Sequence, residues 1–72
     1  MRFSIAEKIE ILAKRRNMTI KELAEKTGQS RQNLNGKLSR DNFSINELEK
    51  IAAALNCQFD GIFTLNDTKE KL

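Results

Sequence analysis

The chain has 72 residues, a hydrophobic share of 39% and a formal net charge of +3. This length predicts one small domain and leaves no room for a separate effector-sensing or catalytic domain. There is no His and only one Cys, which excludes the commonest general base, a Cys-rich zinc site and an internal disulfide.

Three helix starts are marked by a Ser or Thr that is followed three residues later by a Glu. The pairs are Ser4 and Glu7, Thr19 and Glu22, and Ser44 and Glu47. In such a capping box, the hydroxyl and the carboxylate each accept a hydrogen bond from a free backbone N–H of the first turn. Two of the starts also have the spacing of a hydrophobic staple, in the pairs Met18 with Leu23 and Phe43 with Leu48.

Apolar residues recur at helical spacing behind each start, which predicts amphipathic helices. The first spans about residues 4–16, the second is short and stops at Gly28, and the last keeps its period up to Leu55. Residues 30–38 form a thinner helix, in which only Leu34 and Leu38 are apolar. We expect almost every other side chain of that helix to point outward.

The segment after the last helix has a different pattern. Polar residues alternate with apolar ones, at Cys57, Phe59, Phe63 and Leu65. This alternation favours a strand over residues 57–66, and the alternative is a short fifth helix that carries Phe59, Ile62 and Phe63. A lone strand has unpaired backbone groups, so we expect a homodimer joined by an antiparallel ribbon, with Phe59, Phe63 and Leu65 as dimerisation residues. Residues 67–72 are expected to form a flexible tail.

Residues 19–34 have the pattern of a helix, a tight turn and a second helix. The small side chain of Ala24 allows the second helix to approach the first closely, and Gly28 can adopt the left-handed conformation that ends a helix. Leu34 packs between the two helices from the second one. Together with the Asn42-Phe43 loop and the last helix, this pattern resembles the Cro and phage-repressor helix-turn-helix regulators of the xenobiotic-response-element type. The resemblance covers about residues 5–55. It implies a mainly α, four-helix, lambda-repressor-like DNA-binding domain over residues 1–56, to which the predicted C-terminal β-strand is added.

In that family the second helix of the unit enters the major groove. With Leu34 and Leu38 in the core, the opposite face of this helix centres on Gln32 and Gly36. Arg and amide side chains can make bidentate contacts to guanine and adenine, and residues near the start of a recognition helix reach the bases. The expected base-reading residues are Arg31, Gln32, Asn35 and Gly36.

Gly36 has two interpretations. The missing side chain can let the backbone approach the groove, or Asn35-Gly36 can form a tight turn or helix end, since glycine inside a helix costs about 1 kcal/mol relative to alanine. In the family a longer, base-reading side chain often occupies this position.

Basic residues are concentrated in the helix-turn-helix half of the chain. Residues 14–40 contain eight basic and two acidic residues, whereas residues 41–72 contain three basic and six acidic residues. Contacts of Lys and Arg with phosphates supply much of the affinity for DNA and make it salt-dependent. The expected phosphate contacts are Lys21, Ser30, Asn33, Lys37, Arg40 and Asn42. Lys14, Arg15 and Arg16 also fit a simpler role as cations at a helix C-terminus.

These features predict a sequence-specific regulator of transcription, similar to Cro-type repressors, that binds a two-fold double-stranded DNA operator as a homodimer. The alternative is a protein-interaction module, such as an antitoxin-like partner that binds through its C-terminal apolar strand. An enzyme is not expected, because the sequence has no metal cluster, no phosphate-binding glycine loop and no nucleophile with a base. No cofactor or small-molecule ligand is expected.

The sequence also predicts a cytoplasmic protein without membrane association. Its longest apolar run, from Ile51 to Leu55, is far shorter than the roughly 20 residues that cross a bilayer. The N-terminus has no apolar signal segment. A single Cys suits a reducing compartment.

Overall fold

The computed structural model describes residues 2–72 and has four α-helices in that range. They are α1 (Ile5–Arg15), α2 (Ile20–Lys26), α3 (Arg31–Arg40) and α4 (Ile45–Ala54). These bounds agree with the helices predicted from the apolar spacing, so the mainly α, four-helix class is confirmed. None of the helices in the described range is long and apolar enough to cross a membrane.

Each helix begins at a hydroxyl residue that caps its first turn. The N-caps are Ser4, Thr19, Ser30 and Ser44, and each side chain accepts a hydrogen bond from the backbone N–H three residues later. The predicted capping boxes of α1 and α2 are complete, because Glu7 accepts from the N–H of Ser4 at 2.9 Å and Glu22 from that of Thr19 at 3.1 Å. These hydrogen bonds with Ser4 lower the pKa of Glu7.

The predicted capping box of α4 forms only in part. Ser44 Oγ accepts a hydrogen bond from the N–H of Glu47 at 3.1 Å, but the Glu47 carboxylate lies 3.0 Å from Lys37 Nζ on α3. The tertiary structure therefore brings Lys37 close enough to pair with the Glu47 carboxylate, which the local pattern predicts to bind the first turn of α4.

All four helices end at a residue with left-handed backbone. These residues are Asn17, Gly28, Asp41 and Asn56, with φ of 54°, 73°, 52° and 55°. After α2, the N–H of Gly28 donates to the carbonyl of Glu25 at 3.1 Å, and that of Gln29 donates to Ala24 at 3.0 Å. This pair of hydrogen bonds is a Schellman motif, and it confirms the turn predicted at Gly28.

We expect Gly28→Ala to destabilise the domain by about 1 to 2 kcal/mol, because a Cβ in the left-handed region crowds the following carbonyl. A Cβ at Gly28 would have no atom within 4 Å, so the cost arises in the backbone. Gly61→Ala is the matched control, since its Cβ also meets nothing within 4 Å and its φ is not left-handed. Urea unfolding measures the difference, and equal losses of stability in the two variants would contradict this assignment.

The core lies where the four helices meet. Its largest fully buried side chains are Leu23, Leu34 and Leu55. Met18 and Phe43, the predicted staple residues, are partly buried against it. No polar or charged side chain is buried within residues 2–72, so the groups that can bind a ligand lie at the surface.

Two side chains connect α1 to later parts of the chain. Asp41 Oδ1, just after α3, accepts a hydrogen bond from the N–H of Ala6 at 2.7 Å. At the other end of α1, Arg16 donates to the carbonyl of Leu55 at 2.9 Å and to that of Asn56 at 3.2 Å. Arg16 therefore satisfies carbonyls at the end of α4, which goes beyond the predicted role of a cation at its own helix end.

The predicted strand over residues 57–66 is not supported, and the alternative fifth helix is not present there either. Instead, the chain turns at residues 66–68 and folds back on itself. Phe63 and Leu72 exchange two backbone hydrogen bonds at 2.7 and 2.8 Å, and an isolated antiparallel bridge joins Thr64 to Lys71. Ile62 is out of phase with the alternating pattern. Residues 70–72 pair with residues 63–65 inside one chain. The flexibility expected of residues 67–72 stays a prediction.

Candidate nucleic-acid interface

The candidate interface is built on α3, the second helix of the helix-turn-helix unit. Leu34 and Leu38 hold its inner face in the core. Leu23 and Ala24 of α2 are fully buried in the same cluster. The short turn at Gly28 brings α2 and α3 together. Since the apolar face of α3 packs in this core, its polar face remains at the surface.

The predicted base-reading side chains lie on this polar face. Arg31, Gln32 and Asn35 are exposed. Within residues 2–72, none of the three side chains makes a hydrogen bond or an ion pair. Their donors and acceptors are therefore free for a ligand, and their role in reading bases stays a prediction.

Gly36 lies inside α3, so the alternative of a turn or helix end at Asn35-Gly36 is wrong. A Cβ at Gly36 would lie 3.4 Å from Arg40 Nη2 and 3.5 Å from Nη1. The Arg40 guanidinium thus covers the position where a side chain is missing. Because position 36 is a glycine, Arg40, a predicted phosphate contact, can lie beside the base-reading face. Close approach of the Gly36 backbone to DNA stays a prediction.

The other predicted phosphate contacts lie near the two ends of α3. Lys21 and Arg31 line one open cleft of about 420 Å³, between the starts of α2 and α3. Ser30 caps α3, since its Oγ accepts from the N–H of Asn33 at 3.0 Å. At the far end, the exposed Asn42 donates its backbone N–H to the carbonyl of Lys37 at 3.1 Å.

Lys37 is less free than its sequence position suggests. Its ion pair with Glu47 leaves the two side chains 21% and 33% exposed. Lys37 and Glu47 line a second cleft, and Gln29 and Lys50 line it with them. An ion pair near the surface contributes about 1 kcal/mol or less, so a phosphate can compete with Glu47 for Lys37. Lys50 belongs to α4, and the packing of α4 brings it beside α3. The sequence around Lys50 gives no sign of this position.

A chain of side-chain hydrogen bonds crosses the turn between α2 and α3. Thr27 Oγ1 lies 2.9 Å from the carbonyl of Leu23 and 3.0 Å from that of Ala24. Gln29 Nε2 donates to Thr27 Oγ1 at 2.9 Å, and Asn33 Nδ2 donates to Gln29 Oε1 at 3.0 Å. Sequence reasoning found Asn33 but missed Thr27 and Gln29, since amide and hydroxyl residues in a turn carry no distinctive pattern.

A helix-turn-helix unit with an exposed polar second helix defines a small DNA-binding domain. The chain matches the family model described as the Cro/C1-type HTH DNA-binding domain over residues 8–68, and it belongs to that family. The resemblance seen in the sequence is confirmed. The match extends beyond α4 into the C-terminal segment. Searches among curated proteins and among solved structures found no match to the chain.

Proposed function

We propose that the protein is a sequence-specific, Cro-like transcriptional repressor of the cytoplasm, which binds a two-fold DNA operator as a homodimer. The observation that carries the proposal is the free polar face of α3. Arg31, Gln32 and Asn35 are exposed there without protein partners in the described range. Arg matches the two acceptors of guanine, and amides match the donor and acceptor of adenine. Repression follows if the bound dimer occupies DNA that polymerase needs.

The charge distribution supports phosphate binding around that face. Residues 14–40 carry a net charge of +6 and residues 41–72 a net charge of −3. Lys21 lies near the start of α3, and Arg40 and Asn42 lie at or just beyond its end. Cations on both sides of a recognition helix can engage the phosphates that border a groove. Ser30, Asn33 and Lys37 complete the set proposed from the sequence.

The C-terminal arm, residues 60–72, supports the homodimer. Its apolar side chains are exposed: Ile62 by 62%, Phe63 by 83%, Leu65 by 42% and Leu72 by 78%. The radius of gyration is 13.6 Å, against about 11 Å for a compact chain of this length. Of the proposed dimerisation residues, Phe59 packs partly against its own core, so Phe63 and Leu65 offer more surface to a second copy.

The proposal is tested by selecting bound duplexes from a random pool at two salt concentrations. We expect one enriched half-site in inverted repeat, with the two copies about 34 Å apart, because two recognition helices enter successive major grooves. Affinity should fall steeply with salt, with a log–log slope of about −0.9 for each phosphate engaged.

A Phe63→Ser variant tests the dimer separately from base reading, since it changes the C-terminal arm and leaves α3 intact. It should keep the half-site preference and lose the inverted repeat. A wild-type protein that enriches no sequence would contradict the proposed function. Enrichment of an isolated half-site by the wild-type protein would contradict the dimer. An exposed arm on a monomer would favour the antitoxin-like alternative.

A further inference from the structure

The hydrogen bonds that cross the α2–α3 turn have a defined direction. A hydroxyl has one hydrogen to donate, and the Thr27 hydroxyl directs it to the carbonyls of Leu23 and Ala24, at 2.9 and 3.0 Å. Thr27 Oγ1 can then only accept from Gln29 at 2.9 Å. The amide nitrogen of Gln29 must therefore face Thr27.

The orientation of the Gln29 amide determines which atom of Asn33 it binds. With its nitrogen turned to Thr27, Gln29 presents Oε1 to Asn33 and accepts from Nδ2 at 3.0 Å. The Asn33 amide must present its nitrogen to Gln29, which fixes the orientation of the amide group. Asn33 is exposed, and its Oδ1 and second N–H have no protein partner within residues 2–72.

We infer that Asn33 reads an adenine through this oriented amide, and that Thr27 and Gln29 are its positioning residues. The inference rests on the proposed DNA-binding function. In the major groove, adenine presents the N6 donor and the N7 acceptor, which match a free carbonyl and a free N–H. A phosphate offers only acceptors, so it can accept from the free N–H of Asn33 but leaves Oδ1 without a donor. The inference therefore moves Asn33 from the phosphate contacts to the base-reading set.

Fixing the amide in advance also reduces the ordering that binding requires. A freely rotating asparagine loses rotamer freedom when it pairs with a base, and a side chain that is already held loses less. Release of Asn33 from Gln29 should therefore weaken the preference for adenine without removing the contact altogether.

The test compares Asn33→Ala, Thr27→Val and Thr27→Ser on the selected operator and its single-base variants. Asn33→Ala should lower the preference for adenine at one half-site position about tenfold, within the range of a bidentate contact, and leave the other positions unchanged. Thr27→Val keeps the shape of the side chain but removes the acceptor for Gln29. It should lower the preference at the same position about threefold, whereas Thr27→Ser keeps the hydroxyl and should preserve it.

Several outcomes would overturn the inference. Equal weakening of all duplexes by Asn33→Ala would identify a phosphate contact. The salt slope should stay the same in that case, because asparagine carries no charge and its loss changes no counterion release. An unchanged preference in Asn33→Ala, or equal behaviour of the two Thr27 variants, would also reject it. If Thr27→Val does not fold, Gln29→Ala tests the same link. A wild-type protein without any sequence preference refutes the proposed function, whereas preference without an Asn33-dependent adenine refutes this inference alone.

Discussion

Leu34→Ala should destabilise the domain by about 2 to 5 kcal/mol, a large part of the 5 to 15 kcal/mol typical of whole domains. Leu34 has no exposed surface and anchors α3 in the core cluster. Its truncation removes apolar contacts and leaves a cavity that neighbours fixed in helices fill only in part. Thermal unfolding should show a midpoint lower by at least about 8 °C, since each kcal/mol shifts a domain of this size by about 4–8 °C.

Ile45→Ala is the control for that prediction, because it also truncates a large aliphatic side chain, and Ile45 is 58% exposed and lies outside the C-terminal arm. We expect it to alter stability by no more than about 0.5 kcal/mol. Similar unfolding midpoints for the two variants would show that α3 is not held by the core as described.

Arg31→Ala and Gln32→Ala should each lose much of the preference for the operator over a random duplex. Both side chains are exposed at the start of α3, where a recognition helix reaches base edges. A lost bidentate contact costs about 1–3 kcal/mol of discrimination, so the ratio of the two dissociation constants should fall by about ten- to a hundredfold. Titration of both duplexes at one salt concentration measures this ratio.

Arg15→Ala is the matched control for Arg31→Ala. Arg15 is also exposed but lies at the end of α1, so its removal deletes the same charge away from α3. It should lower the affinity for both duplexes alike and leave their ratio unchanged. Unchanged discrimination in both α3 variants would remove Arg31 and Gln32 from the base-reading set.

The parts of the fold that could be predicted depend on neighbours in sequence. The N-caps of α1, α2 and α4, the complete capping boxes at Ser4 and Thr19, and the left-handed turn at Gly28 involve groups only a few residues apart. For such groups the local pattern and the final geometry agree. The apolar period likewise placed Leu34 inside and Gln32 outside, because the helix itself decides which face each residue occupies.

The parts that could not be predicted depend on groups that the fold brings together. Glu47 has the spacing of a capping box, yet it pairs with Lys37 because α3 and α4 place that cation 3.0 Å away. The C-terminal alternation resembled a strand, yet residues 63–65 found their partner in the same chain. Local spacing does not rank competing partners that only the tertiary structure brings close.

The candidate site shows the same division. Exposure of Arg31, Gln32 and Asn35 follows from the helical wheel and could be predicted. The orientation of the Asn33 amide depends on Thr27 and Gln29 across a turn, so its residue type alone could not distinguish a phosphate contact from a base contact.

The hydrogen bonds made by Asp41 and Arg16 bear on the order in which the chain folds. They close loops of 35 and 39 residues, whereas those of the α2–α3 turn join near neighbours. Closing a longer loop costs more chain entropy, which favours formation of the helix-turn-helix before α1 is attached at both ends. Interactions that form after the rate-limiting step affect mainly the unfolding rate. We therefore expect the two bonds to act on how long the folded domain persists more than on how fast it forms.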